Sequence, residues 1–106
     1  MDKNTVLDII TKFRIAIESQ GIEVEKLILY GSFAYGTPHE ESDIDLIVIS
    51  DNFASLGFWE RIDILTEAIY EVFEPIEAIA MTKEEWDNQT YSIVDYAKDG
   101  EVVYAA

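Results

Sequence analysis

The chain has 106 residues, no cysteine, and 22 acidic against 7 basic residues, a formal net charge of −15. That length fits one domain, and so negative a surface repels phosphate backbones and anionic bilayers, which sets aside non-specific nucleic-acid and membrane-surface binding. The lack of cysteine excludes a disulfide framework and a Cys-ligated zinc site, while 49% hydrophobic and 12% aromatic residues are too many for a disordered acidic chain. No stretch approaches the length of a membrane span, and the first residues carry no targeting pattern, so a cytoplasmic protein is expected.

In chain order, Val6, Ile9, Ile10, Phe13, Ala16 and Ile17 recur at helical spacing and predict a helix over 4–20, stopped by Gly21. Residues 24–30, apolar and closed by Gly31, read as a buried strand. A loop over 31–42, with room for one helical turn, leads to a second buried strand over 43–49 whose acids sit at one end. Phe58, Ile62, Leu65, Ile69 and Val72 predict a second helix over 56–73, which Glu74-Pro75 terminates, because the residue before proline is pushed out of the helical region. A third strand follows over 76–81. Thr82 and Glu85 have the spacing of a capping box and open a third helix to about residue 98, and 101–104 reads as a last, edge strand. The order α-β-β-α-β-α-β, free of repeats, predicts an α/β (α+β) domain over residues 1–106, with a small mixed β-sheet flanked by helices.

Two neighbouring segments carry chemistry. Gly31-Ser32-Phe33-Ala34-Tyr35-Gly36 follows the first strand. Its glycines lack the Lys and Ser/Thr of a Walker loop and the dinucleotide fingerprint, yet a turn with free amides and a hydroxyl can hold an anion. Asp43 and Asp45 open the second strand on one face, with Cα atoms roughly 6.6 Å apart. The strand then turns apolar on both faces, and two carboxylates at the mouth of a buried strand repel by roughly 4 kcal/mol at 4 Å separation. A divalent cation relieves that repulsion. No glycine or further oxygen ligand follows at EF-hand spacing, and an all-oxygen set with few ligands suits Mg2+.

Together, Gly31-Ser32 and Gly36 followed by Ser42-Asp43-Ile44-Asp45-Leu46 resemble the GSxxxG…SDIDL signature of the nucleotidyltransferase superfamily related to DNA polymerase beta, in its minimal (MNT) branch. The resemblance implies transfer of a nucleoside monophosphate, AMP from ATP in the first instance, to an acceptor hydroxyl. It assigns Asp43 and Asp45 to catalysis and to two Mg2+ ions. The family's third carboxylate corresponds best to Glu77, which interrupts an apolar run and would complete a metal site and act as general base; Glu74 is the rival, but its place before Pro75 suggests a solvated turn. Gly31, Ser32, Gly36 and Ser42 are then nucleotide-binding. Arg61 is the one basic candidate near the triphosphate, because no Lys or Arg lies between Lys26 and Arg61. His39 reads as a solvated loop residue, and Phe58, Trp59 and Trp86 as core or partner surface.

The chain has no room for a separate acceptor domain, so a partner chain or a second copy is expected to supply the acceptor. Family resemblance implies a HEPN-type partner, with AMP transfer to its tyrosine and an antitoxin role. Two other readings stay open: an MNT-fold module that neutralises a partner by contact alone, and a small-molecule transferase of the aminoglycoside type.

Overall fold

A computed structural model describes residues 1–36 and 43–106; the expectations for Ser42 and His39 lie outside the described residues. Helix α1 (Lys3–Glu18) starts at Asp2, whose carboxylate accepts the Thr5 N–H at 2.8 Å. It buries the six positions named by its periodicity. Strand β1 (Lys26–Tyr30) leads through Gly31 into α2 (Ser32–Tyr35), a single helical turn closed by Gly36 at φ 75°. Strand β2 (Ile44–Ile49) follows, then a 3-10 stretch (Asp51–Ser55), α3 (Phe58–Val72) and strand β3 (Ile76–Met81). Helix α4 (Lys83–Asp87), helix α5 (Ile93–Ala97) and strand β4 (Glu101–Ala105) complete the described chain.

The sheet order is β3-β2-β1-β4, with β2 and β3 parallel and the other pairs antiparallel. This is the small mixed α/β arrangement the sequence predicts, with β4 at an edge. One face, built from Leu27, Leu29, Ile44, Leu46 and Val48, packs with the apolar stripe of α1 and with Leu65 and Ala68 of α3. Side chains of opposite parity, Ile28, Tyr30, Ile47, Ile49 and Met81, face Val94 and Ala97 of α5. Asp45 and Glu77 share that second parity, so they lie on the α5 side of the sheet, at the strand ends. No helix among the described residues is long and apolar enough to cross a membrane.

Three expectations change. The helix predicted over 56–73 begins at Phe58, because Gly57 takes the N-cap and Glu60 accepts its N–H at 3.0 Å. Within it only Leu65 and Ala68 are buried; Phe58 is 67% exposed and Ile62 faces solvent as well. The helix predicted over 82–98 opens with the expected box, Thr82 Oγ1 accepting the Glu85 N–H at 3.1 Å and Glu85 Oε1 accepting the Thr82 N–H at 2.8 Å. It then divides into α4 and α5, because Gln89 turns to φ 51° amid Asn88, Thr90 and Ser92, side chains that compete with helical backbone bonds.

Candidate active site

The site is assembled where the end of β1 meets the starts of β2 and β3. In the sheet register Tyr30 lies opposite Asp45, and Asp45 opposite Glu77. Antiparallel pairing on one side and parallel pairing on the other thus set a tyrosine and two carboxylates in a row across three strands. Gly31 makes the arrangement possible. Its φ of 76° is in the region that side chains avoid, and a Cβ there would collide with Oδ2 of Asp45. The Gly31 carbonyl also accepts the Ala34 and Tyr35 N–H groups, both at 3.1 Å, so the turn into α2 is held by its own backbone.

The electrostatics follow from this crowding. The half-buried Asp45 carboxyl has its pKa raised to about 6, first by burial, then by its hydrogen bond with Glu77 and by the charges of Glu77 and Asp43. Tyr30 is pushed up to about 12, by burial and then by the Asp45 and Glu77 charges, so its hydroxyl stays protonated. A cavity of about 420 Å³ opens over these groups, bounded by Tyr30, Asp45, Glu77, Ile79, Ile93 and Tyr96. Among the described residues its lining contains no lysine or arginine. A proton or a cation from solution relieves the negative charge, and a donor set made of carboxylate oxygens fits a hard divalent ion such as Mg2+.

The structure brings Asp45, Glu77, Gly31 and Ser32 to one place. Asp43 is exposed, one residue before β2 begins, close enough for its charge to act on Asp45. It does not close a three-carboxylate cluster: among the described residues no three His, Cys, Asp or Glu side chains converge as metal ligands. Gly36 caps α2. Arg61 is engaged by other partners: its guanidinium pairs with Glu85 at 2.7 Å and its Nε donates to the Phe53 and Leu56 carbonyls. It borders an apolar cavity that adjoins the carboxylate cavity, the two sharing Ala78, Ile79 and Ile93. Burial works to raise the Glu85 pKa, but the Arg61 and Thr82 bonds outweigh it and hold that carboxyl below its ordinary value.

Sequence reasoning missed the tyrosines. Tyr30 was readable from strand parity, since it shares the face of Ile28 beside Gly31. Tyr96 was not, because its place on α5 depends on the break at Gln89. Trp86 is half-buried against the second core cluster, whereas Trp59 is 72% exposed and rests edge-to-face on Phe58.

A protein-family model described as a nucleotidyltransferase domain matches residues 10–99. The chain is 36% identical over 61 residues to a candidate protein adenylyltransferase of Methanocaldococcus jannaschii, a match covering 58% of this chain and 57% of that protein, so it spans little more than half of that relative. Among solved structures, a candidate nucleotidyltransferase from Sulfolobus solfataricus superposes with a TM-score of 0.72 at 18% identity, covering 95% of this chain and 81% of the other. A toxin-antitoxin structure with AMP-PNP gives 0.60 at 16% identity, covering 89% and 72%. A mutant of the toxin-antitoxin pair MntA-HpeT gives 0.56 at 12% identity, covering 100% and 75%. At these identities the solved structures speak for the fold, while the family match spans most of the sequence and includes both the glycine turn and the carboxylate strands. The chain belongs to the nucleotidyltransferase domain family.

Proposed function

We propose that this domain transfers a nucleoside monophosphate, AMP from ATP in the first instance, to a hydroxyl of a protein acceptor, with pyrophosphate leaving. The observation that carries the reading is the in-register Asp45–Glu77 pair, set beside the Gly31-Ser32 turn and opening on a cavity that has no basic residue among the described residues. Asp45 and Glu77, with Asp43 beside them, would hold Mg2+. That ion, when bound, neutralises the triphosphate and stabilises charge on the attacking and leaving oxygens. Asp45, whose carboxyl titrates at about 6, is mostly ionised at neutral pH and would serve as a carboxylate ligand. Glu77, exposed toward the cavity, accepts the proton of the attacking hydroxyl. Gly31 and Ser32 orient the β and γ phosphates, joined by Gly36 and Ser42. Catalysis is then positioning and charge compensation, as for phosphoryl transfer generally.

The acceptor we favour is a tyrosine of a HEPN-type partner, with the transfer acting as an antitoxin step in the cytoplasm. The strong acidity of the chain favours a basic protein acceptor over a long nucleic acid. The relative that is a candidate protein adenylyltransferase and the two fold neighbours that are toxin-antitoxin structures support this choice. A second reading, a module that neutralises its partner by contact alone, is favoured by one observation: among the described residues Asp43 joins no three-carboxylate cluster. Incubation of the protein with α-labelled ATP, Mg2+ and the purified partner distinguishes the two. Transfer is expected to label the partner and to vanish in Asp45→Asn; an unlabelled partner that Asp45→Asn still neutralises supports contact alone.

A further inference from the structure

The carboxylates occupy one side of their cavity; the other side is aromatic. Tyr96 projects from α5 and is 57% exposed. Its ring is braced by two others. Tyr30 meets it edge-to-face at 5.8 Å and 88°, and Tyr35, at the end of α2, meets it at 6.2 Å and 85°. The Tyr35 hydroxyl also donates to the Tyr96 backbone carbonyl at 2.9 Å, tying the glycine turn to α5. Both ring neighbours stand perpendicular to Tyr96, so among the described residues no aromatic ring lies parallel to it.

This arrangement matches the needs of a planar ligand. Edge-to-face contacts fix the tilt of the Tyr96 ring, and Tyr96, 57% exposed in the cavity lining, keeps open aromatic surface for a planar ligand. The cavity, about 420 Å³ with Ile79 and Ile93 in its lining, falls within the roughly 300–1,000 Å³ of small-ligand pockets. Among the described residues, its lining offers no side chain that reads a base edge apart from the two carboxylates and the tyrosine hydroxyls. On the reading above Asp45 and Glu77 serve the reacting phosphate, and the base of a nucleotide is joined to it through one sugar, which leaves the aromatic wall of the same cavity to meet the base.

We infer that Tyr96, held by Tyr30 and Tyr35, is the stacking face for the nucleobase, so that the site selects nucleotides by ring area and not by base edge. The inference rests on the nucleotidyltransferase reading above and extends it to nucleotide preference. ATP and GTP bind alike, and both bind more tightly than UTP, because a purine covers more of the ring than a pyrimidine. The Tyr96 hydroxyl has no part in this, so phenylalanine substitutes for it.

The test is calorimetric titration of the full chain with ATP, GTP, UTP and inorganic tripolyphosphate, each with Mg2+, for wild type, Tyr96→Ala, Tyr96→Leu and Tyr96→Phe, with melting curves confirming that each variant folds. Stacking on an aromatic side chain predicts that Tyr96→Ala and Tyr96→Leu weaken ATP and GTP by about tenfold or more. Tripolyphosphate binding should be unchanged, and Tyr96→Phe should behave as wild type. Unchanged ATP affinity in Tyr96→Ala, or equal losses for ATP and tripolyphosphate, overturns the stacking assignment and leaves the transferase reading standing. A wild-type protein that binds neither ATP nor tripolyphosphate overturns both.

Discussion

Gly31 and the Asp45 carboxylate occupy one space: the missing Cβ of the glycine is what allows Oδ2 of Asp45 to lie where it does. Two independent features therefore restrict this position to glycine, the carboxylate and a φ of 76°. Gly31→Ala is expected to cost about 1–2 kcal/mol of stability from the left-handed backbone alone. It should lower transfer much further, on the order of 10²-fold, because the carboxylate must move by about an ångström. Urea denaturation and labelled-ATP transfer measure the two effects separately. A variant with normal transfer would show that Asp45 is not held where the chemistry needs it.

The raised Asp45 pKa gives the metal-free protein a definite pH dependence. A carboxyl that titrates near 6 in the fold and near its ordinary value when unfolded binds more protons in the folded state between those limits. Its contribution is therefore intact below the unfolded pKa and is lost as pH rises through about 6. In divalent-free buffer, the melting temperature of wild type should fall relative to that of Asp45→Asn between pH 5 and pH 7.5. Added Mg2+ should restore wild type at pH 7.5 and leave Asp45→Asn unmoved. Parallel melting curves for the two proteins across that range would refute the assignment.

Arg61 is predicted to stabilise the fold without binding nucleotide. Its guanidinium is largely buried, paired with Glu85 at 2.7 Å and bonded through Nε to two backbone carbonyls. Arg61→Ala leaves Glu85 and those carbonyls without their partner, and hydrogen bonds to charged groups contribute about 1.5–3 kcal/mol. A loss of about that size is expected in urea denaturation, with ATP affinity unchanged. Because the Glu85 pKa is lowered in the fold, the stabilisation is present above its unfolded value and fades as pH falls through the folded one. Weakened ATP binding at normal stability would return Arg61 to the triphosphate.

How far the sequence revealed this molecule depended on the range of each interaction. Strand 76–81 and the Thr82–Glu85 box were readable because they rest on local periodicity and a three-residue contact. Glu77 stood out as an acid in an apolar run, and its register opposite Asp45 follows once the two strands pair. The partners of Arg61 were not readable, since Glu85 lies 24 positions away on another element. Nor was the aromatic wall: it requires a helix break at Gln89, where backbone competition by small polar side chains outweighed an apolar pattern that continued on both sides.

The end of α3 offers a test of backbone strain far from the site. Phe73 caps the helix at φ 58° while its side chain is 84% exposed. A left-handed conformation costs a residue with a Cβ roughly 1–2 kcal/mol, which glycine avoids and asparagine partly avoids. Glycine returns some of that gain through the greater entropy of its unfolded chain. The ring contributes little burial to set against the strain. Phe73→Asn and Phe73→Gly should each raise stability by about 0.5–1 kcal/mol, seen as a higher urea midpoint at unchanged slope. A lower midpoint in both variants would mean that the exposed ring has a stabilising contact in solution, for which the neighbouring Ile69 and Pro75 are the nearest apolar surface.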